Sequence, residues 1–422
     1  MNQLRLKLNN LSFIFLLLCE TYFVLAIYPV YHWIHVIPLA VLLLFCDIPT
    51  EIQTIKEFLK KHFIVVICFV IWMIHFGIKD HTTRILFIFL LFFYYGFRSS
   101  KYGSTEKIAK WTIGIMTPII VISMVCHFLQ INPLLGRFAA AGVFANFYYT
   151  RFASIFAHPI PAACVFGVYT YLCMFYCSNK YIKWILSLLG IAALFFSGSR
   201  GELVSFGVTL VVLGVVYVCK TPSVVKSIFK LRNLIILIVV IVIAVLIVMY
   251  VPAVNAQYQN ILNRIQTSST ELSSNYYRFE VWKLMVNQVW PSGNWITRLF
   301  GGGNQSCLAA MQTFENEAIA NSVWWASAAG MEVGTVDSTF FSVLYDYGLI
   351  GVLLLLFMIG YSLFKVIKGN KDQMHIAIIV LMLLISAATF DMEYWSSITF
   401  VCLFLYGHLT GIKEETIEKD EI

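Results

Sequence analysis

Long apolar stretches alternate with short polar segments along most of this chain. A helix that crosses the hydrocarbon core of a membrane needs about 20 consecutive, mostly apolar residues. No stretch shows the apolar–polar alternation that predicts a membrane-spanning barrel. The pattern therefore predicts an all-α polytopic membrane protein with about twelve transmembrane helices, at residues 11–27, 32–47, 63–78, 83–97, 108–130, 158–178, 181–197, 202–219, 231–251, 339–364, 374–390 and 394–410.

The amino-acid composition agrees with this prediction. The chain has 422 residues, of which 60% are hydrophobic and 12% are charged, whereas soluble globular domains carry about 25% charged residues. Only Cys307 lies in a long polar segment, so that segment cannot form an internal disulfide. Cys173 and Cys177 share a helix face, where packing explains them better than metal binding. The sequence has no metal-ligand cluster and no Walker motif, and we expect neither a metal nor a cofactor.

The positions of the basic residues predict the orientation. With the N-terminus in the cytoplasm and twelve alternating helices, most of the 29 Lys and Arg residues face the cytoplasm, as the positive-inside rule requires. The net charge of +7 is thus topological, and we expect no nucleic-acid partner. Both termini are predicted to be cytoplasmic. The predicted parts are helices 1–9 in residues 1–251, a large outer loop with short helices in 252–338, and the last three helices with a cytoplasmic tail in 339–422.

Four consecutive residues, Ser197-Gly198-Ser199-Arg200, join two predicted membrane helices. An arginine enclosed between membrane helices is costly and is usually kept for a function. Its planar guanidinium suits bidentate binding of phosphate. Arg151 and Arg278 are predicted to lie on the same outer face and could complete a cationic pocket. Arg137 also lies there, but we expect it to extend to lipid head groups.

Few acidic residues fall on the predicted outer face. Asp337 precedes a predicted helix and is a candidate base for activating a hydroxyl, or it is a plain helix N-cap beside Ser338. Glu202 could form a structural ion pair near the arginine it follows. Asp391, in the last outer turn, is expected to be a solvated loop residue.

The long outer segment also contains Gly301-Gly302-Gly303-Asn304. Successive backbone N–H groups in such a run can cradle a phosphate. The alternative is a hinge or turn that follows the helix of Arg278 and Trp282. The glycine run alone does not decide between the two.

Several motifs, in their order and spacing, resemble the O-antigen ligase and O-antigen polymerase superfamily. The resemblance covers roughly residues 140–365. It rests on Phe196-Ser197-Gly198-Ser199-Arg200-Gly201 between two helices, Arg151-Phe152-Ala153-Ser154-Ile155-Phe156-Ala157-His158-Pro159 at a helix entrance, Arg278-Phe279-Glu280-Val281-Trp282 followed by Leu299-Phe300-Gly301-Gly302-Gly303, and Asp337-Ser338-Thr339-Phe340 leading to Tyr347-Gly348-Leu349-Ile350-Gly351.

The resemblance implies a metal-independent glycosyltransferase in the bacterial inner membrane, with its active site on the periplasmic face. Its partners would be a glycan donor and a glycan acceptor on undecaprenyl diphosphate, membrane lipids and, as a further candidate, a chain-length regulator. Arg200 and Arg278 would act in catalysis by binding the diphosphate, and Asp337 would activate or orient the acceptor hydroxyl. The residues predicted to bind substrate are Arg151, Arg200, Arg278, His158, Glu202, Tyr277, Trp282 and Asn304.

One departure from the family pattern favours the polymerases. The ligases typically carry a histidine followed by an asparagine near position 337, whereas this chain has Asp337-Ser338. The ligase remains an alternative, because both enzymes would share the donor pocket. A lipid-linked oligosaccharide flippase is a second alternative. The long aromatic outer loop and the lack of paired halves argue against it, since transporters usually build their sites from repeated, broken helices.

Overall fold

Apolar helices build the parts of the chain that the structure, a computed structural model, describes. These parts are residues 48–129, 151–154, 156, 159–221, 239, 242, 246, 248–266, 274–311, 336, 338–392 and 396–412. No strand occurs among them. The helices, numbered in chain order, are α1 (Ile48–Lys61), α2 (Phe63–Phe76), α3 (His81–Tyr102), α4 (Thr105–Phe128), α5 (Pro159–Tyr176), α6 (Lys180–Phe196), α7 (Arg200–Lys220), α8 (Pro252–Gln266), α9 (Ser274–Leu284), α10 (Trp295–Phe300), α11 (Ser306–Met311), α12 (Thr339–Asp346), α13 (Gly348–Lys368), α14 (Lys371–Ser386) and α15 (Ser396–Gly411).

Four of these helices, α4, α5, α7 and α13, are long and apolar enough to cross a membrane. A fifth span is possible if α1 and α2, which meet at an angle of 88°, count as one. The chain is therefore an integral membrane protein, in agreement with its composition. The predicted helices 11–27 and 32–47, and most of 231–251, lie outside the described residues. The total of twelve spans stays a prediction.

One predicted helix boundary is wrong. The apolar pattern predicts a single helix over 339–364, but the structure breaks this segment into α12 and α13 at Gly348. Gly348 has a φ of +70°, and a Cβ at this position would lie 2.4 Å from the Leu299 carbonyl oxygen. Only glycine tolerates both the left-handed backbone and the close approach. The helix therefore stops where another segment packs against it.

Small residues allow α3 and α15 to pack with their backbones close together. A Cβ at Gly96 would lie 1.9 Å from the Phe404 carbonyl oxygen, and one at Gly407 would lie 2.1 Å from that of Phe93. Membrane helices associate largely through such small-residue contacts. The neighbouring α5 and α14 are buried along most of their length. Together these helices form a closely packed support for the turns at their ends.

The segment between α7 and α12 contributes a smaller core of its own. Side chains of α9 and of the π-helical turn Met285–Val289 pack around Cys307 and Val336. Cys307 is the second residue of α11. Val281, Val289, Cys307 and Val336 are all fully buried. This core fixes α9, the helix that carries Arg278, relative to the chain that enters α12.

Candidate functional site

The residues from Ser197 to Glu202, here called the arginine turn, connect α6 to α7 in a tight and buried bend. Gly198 has a φ of +62°, which an L side chain rarely adopts. A Cβ at Gly201 would lie 2.1 Å from the Thr389 hydroxyl oxygen, so α7 begins in close contact with the turn after α14. Arg200 is thus placed at the first residue of α7 by two glycines that leave no room for side chains.

Arg151 caps the end of α6. Its Nε donates a hydrogen bond to the Ser197 carbonyl at 2.8 Å, and the amide of Phe152 donates to the Phe196 carbonyl at 2.9 Å. The Gln257 side-chain amide lies 3.2 Å and 3.3 Å from the Phe195 and Phe196 carbonyls. The last carbonyls of a helix lack partners within the helix and favour a nearby cation. Arg151, which is 5% exposed, supplies that cation.

Arg278 approaches the arginine turn from α9. Both Arg200 and Arg278 are half-buried, and the positive charge of Arg278 acts electrostatically on the Arg200 guanidinium. The N-terminus of α7 adds a partial positive charge at the same place. Like charges held together in a partly desolvated position suit the binding of a multivalent anion such as a diphosphate.

Glu202 lies beneath the arginines. It is 3% exposed, and its Oε1 has no hydrogen-bond partner among the described residues. The Ser199 side chain contacts its carboxyl group, and the charges of Arg151 and Arg278 act on it. The three arginines, from segments that are far apart in sequence, therefore converge around Ser197–Glu202. Glu202 faces the interior of the bundle, near Cys164.

Trp282 ties α9 to the chain on both sides of position 337. Its indole Nε1 donates a hydrogen bond to the Val336 carbonyl at 3.0 Å, and its ring stacks on Phe341 of α12, with the ring centroids 5.4 Å apart. Trp282 and Arg278 are one helical turn apart and share a face of α9. The helix that brings Arg278 to the site thus also holds the entrance of α12.

Asp391 was expected to be a solvated loop residue, and that expectation is wrong. Asp391 is 2% exposed and accepts hydrogen bonds from the Ser338 amide, at 2.9 Å, and from the Ser342 hydroxyl. Thr339 makes further hydrogen bonds to the backbone of Phe390 and Met392. We call this cluster the Asp391 junction. The carboxylate caps the N-terminus of α12 from another segment, where negative charge is favoured.

The glycine run is a structural turn rather than a phosphate cradle. The amides of Gly302 and Gly303 donate to the Tyr345 and Asp346 carbonyls at 2.9 Å and 3.0 Å, so they are already engaged. The fully buried Asp346 carboxylate accepts from the amides of Gln305 and Cys307 and from the Ser306 hydroxyl, and thereby caps α11.

The same turn is fastened to the first half of the chain. Trp72 and His75 of α2 bond to the carbonyls of Phe300 and Gly301, at 2.9 Å and 3.1 Å. The amide of Asn304 donates to the Thr82 hydroxyl of α3 at 3.0 Å. Asn304 therefore lies between the turn and the start of α3, and its predicted contact with substrate stays a prediction.

Three predicted site residues lie partly or wholly outside the described residues. Asp337 and His158 lie wholly outside them. For Tyr277 only the backbone, within α9, is described. Both neighbours of position 337 are described and buried, Val336 at 0% and Ser338 at 2% exposure. The roles predicted for Asp337, His158 and Tyr277 stay predictions.

A comparison with family models decides the superfamily. Residues 185–356 match the model described as O-Antigen ligase. Residues 185–356 are thus similar to the O-antigen ligase family, in agreement with the resemblance to the O-antigen ligase and polymerase superfamily. The matched segment contains the arginine turn, Arg278, Trp282 and the start of α13, so the O-antigen ligase-like domain includes most of the site described above. The match confirms the resemblance but does not separate polymerases from ligases. The search of curated proteins found no match to this chain.

Proposed function

We propose that this protein is a glycosyltransferase that polymerises oligosaccharide repeat units carried on undecaprenyl diphosphate, at the periplasmic face of the inner membrane. The observation that carries the proposal is the convergence of Arg151, Arg200 and Arg278 around the arginine turn. The family match supports an enzyme that acts on lipid-linked glycans. A site with several fixed guanidinium groups suits a substrate with a diphosphate.

The chemistry follows from the leaving group. The bond between C1 of the donor sugar and the diphosphate oxygen breaks, and the oxygen keeps the electron pair. The acceptor hydroxyl oxygen forms the new bond to C1 and gives up its proton to a base. Negative charge grows on the diphosphate as its bond breaks, and guanidinium groups that are already in place stabilise that charge without reorganisation. In this scheme Arg200 and Arg278 bind the diphosphate.

Asp337 is the proposed base. The chain on both sides of it is fastened, by Trp282 to the Val336 carbonyl and by Asp391 to the Ser338 amide. A catalytic base must lie within hydrogen-bond reach of the hydroxyl proton, and fastened neighbours restrict where such a base can move. The buried Asp391 is proposed to act through this support and not on the substrate.

An O-antigen ligase, which moves a finished chain from the same carrier to lipid A-core, is the second candidate function. The family match is compatible with either function. The residues Asp337-Ser338, where the ligases typically have a histidine and an asparagine, favour the polymerase. We therefore keep the polymerase as the main proposal.

Reconstitution with purified protein tests the proposal. Wild-type protein in detergent is mixed with a synthetic undecaprenyl-diphosphate repeat unit, and the products are separated on a gel. A polymerase yields a ladder of longer lipid-linked chains without any lipid A-core. Products that form only when lipid A-core is added, each carrying the unchanged donor glycan, would replace the polymerase with the ligase.

A deletion strain separates the same two functions in the cell. Loss of a polymerase leaves lipid A-core that carries one repeat unit, whereas loss of a ligase leaves bare core. Complementation with Arg200→Lys should fail to restore long chains, because lysine keeps the charge but lacks the bidentate fork. Arg84→Lys, at an exposed arginine in the first turn of α3, is the matched control and should restore them.

A further inference from the structure

The helix α1 differs in chemistry and in direction from the helix that follows it. Five of its fourteen residues are charged, whereas α2 is almost entirely apolar. The two helices meet at an angle of 88°. Charged side chains are costly in the hydrocarbon core of a membrane, so α1 does not continue the path of α2. It lies across the end of the bundle, at nearly a right angle to α2.

This end of the bundle is the one opposite to the arginine turn. The ring of His62, directly before α2, lies 3.2 Å from the Thr410 hydroxyl in the last turn of α15. At the other end of α2, His75 bonds to the Gly301 carbonyl of the glycine turn. Since α15 begins beyond the Asp391 junction, its last turn lies away from the candidate site. The distribution of basic residues predicts that this opposite end faces the cytoplasm.

One face of α1 is fixed against α3. The buried Glu51 carboxylate accepts hydrogen bonds from Arg98 Nε, at 2.8 Å, and from the Tyr94 hydroxyl. One helical turn further on, the hydroxyls of Thr54 and Tyr102 lie 2.6 Å apart. Separating the two members of a buried ion pair is strongly destabilising. These contacts therefore set which side of α1 faces the bundle and which side faces away from it.

The side that faces away is amphipathic. Its exposed aliphatic residues are Ile48, Ile52, Ile55 and Leu59. At 3.6 residues per turn, these four fall within a sector of about 60°. Lys56 and Lys60, both exposed, follow the edge of this sector that is farther from α3. Helices that lie in a membrane interface have this pattern, because their aliphatic side chains enter the acyl region while the lysines reach the head groups.

We propose that α1 lies in the head-group layer of the membrane and binds anionic phospholipids through Lys56 and Lys60. The acidic residues of α1 have other partners: Glu57 pairs with Lys101 at 3.2 Å, and Glu51 is held by α3. Basic side chains at the membrane surface attract anionic head groups. Because α1 is fixed to α3, binding at this interface helps to set the depth and tilt of the bundle in the membrane. The inference does not depend on the proposed function.

Photocrosslinking in vesicles tests what covers the apolar sector. The photoreactive residue p-benzoylphenylalanine replaces Ile52 in the full chain, which is reconstituted in equal amounts of phosphatidylglycerol and phosphatidylcholine and irradiated. We expect lipid adducts, with phosphatidylglycerol exceeding phosphatidylcholine by about threefold or more. The same probe in place of Gln53, an exposed position outside the apolar sector, should give few lipid adducts. Crosslinks from position 52 to residues 1–47 or to a second copy of the chain would overturn the proposal, because protein would then cover this face.

A lysine variant tests the preference for anionic lipid. With the probe at position 52, the double change Lys56→Gln and Lys60→Gln should bring the ratio of the two lipid adducts close to that of the vesicle mixture. Lys79→Gln, at an exposed lysine between α2 and α3 at the other end of the bundle, is the control and should leave the ratio unchanged. Equal labelling by both lipids without any lysine change, or a ratio that the double change does not lower, would overturn the assignment of anionic phospholipid. The readout needs no turnover, so it holds whether or not the protein polymerises glycans.

Discussion

The indole Nε1 of Trp282 donates a hydrogen bond to the carbonyl of Val336, 3.0 Å away. This bond joins the helix of Arg278 to the residue directly before the proposed base. The proposed diphosphate site and the proposed acceptor site are thus coupled through one side chain. The relationship gives Trp282 a positioning role, distinct from the substrate contact predicted from the sequence.

Trp282→Phe separates the hydrogen bond from the ring stacking. The phenyl ring can still pack on Phe341, but the bond to Val336 is lost, which costs about 1 kcal/mol. We expect kcat to fall by about fivefold, while the KM for the donor and the amount of folded protein change little. Trp295→Phe, at a ring that is 70% exposed, is the control and should have no effect. A Trp282→Phe enzyme with wild-type kcat would show that this bond does not position the base.

Asp391→Asn should weaken the junction that caps α12. The carboxylate accepts hydrogen bonds from the Ser338 amide and the Ser342 hydroxyl, and hydrogen bonds to charged groups contribute about 1.5–3 kcal/mol each. An asparagine keeps one acceptor oxygen and loses the charge that favours the helix N-terminus. We expect a lower unfolding temperature and loss of long polysaccharide chains. Asp372→Asn, at an exposed position in the first turn of α14, should retain both properties. The unfolding temperature is measured by tryptophan fluorescence. An unchanged unfolding temperature for Asp391→Asn would contradict the capping role.

Gly198→Ala should disturb the arginine turn. The left-handed backbone costs an L residue about 1–2 kcal/mol, and the new Cβ would lie 2.7 Å from Gln257 Nε2 and 3.4 Å from Arg151 Nε. Both side chains cap α6 and would have to move, so we expect polymerisation to be strongly reduced. Gly214→Ala in α7 has no atom within 4 Å of its new Cβ and serves as the matched control. The two variants are compared by the length of surface polysaccharide at equal protein levels.

Gly301→Ala should act on folding and not on phosphate binding. A Cβ there would lie 2.1 Å from the Asp346 carbonyl oxygen, and Gly301 has a φ of +90°. We expect little folded protein in the membrane. Gly293→Ala, whose nearest neighbour would be 3.5 Å away, should accumulate normally. If Gly301→Ala protein accumulated and melted like wild type but lost diphosphate affinity, the turn would be a phosphate site after all.

The sequence predicted those parts of the site whose residues lie close together in the chain. The arginine turn could be recognised because a charged, glycine-containing turn between two apolar helices is rare. Arg278 and Trp282 could be placed on one helix face from their spacing alone. The family match confirms the superfamily to which these motifs were assigned.

The residues that the sequence did not reveal depend on contacts between distant segments. Asp391 and Asp346 are buried because they cap helices that begin at Thr339 and Ser306. Nothing in their local sequence specifies those partners, although a carboxylate among apolar residues is costly enough to be a signal. The helix break at Gly348 is likewise set by Leu299, in a different part of the chain. Gln257 was missed for the same reason.

The affinity for undecaprenyl diphosphate without a glycan tests the central claim most directly. Binding to purified wild type, Arg200→Gln, Arg278→Gln and the control Arg84→Gln is measured by calorimetry at low and moderate salt. If the converging arginines hold the diphosphate, each site variant should lose about tenfold or more in affinity, and salt should weaken wild-type binding, while Arg84→Gln binds like wild type. Wild-type affinity in both site variants would contradict the account, because the diphosphate would then bind elsewhere.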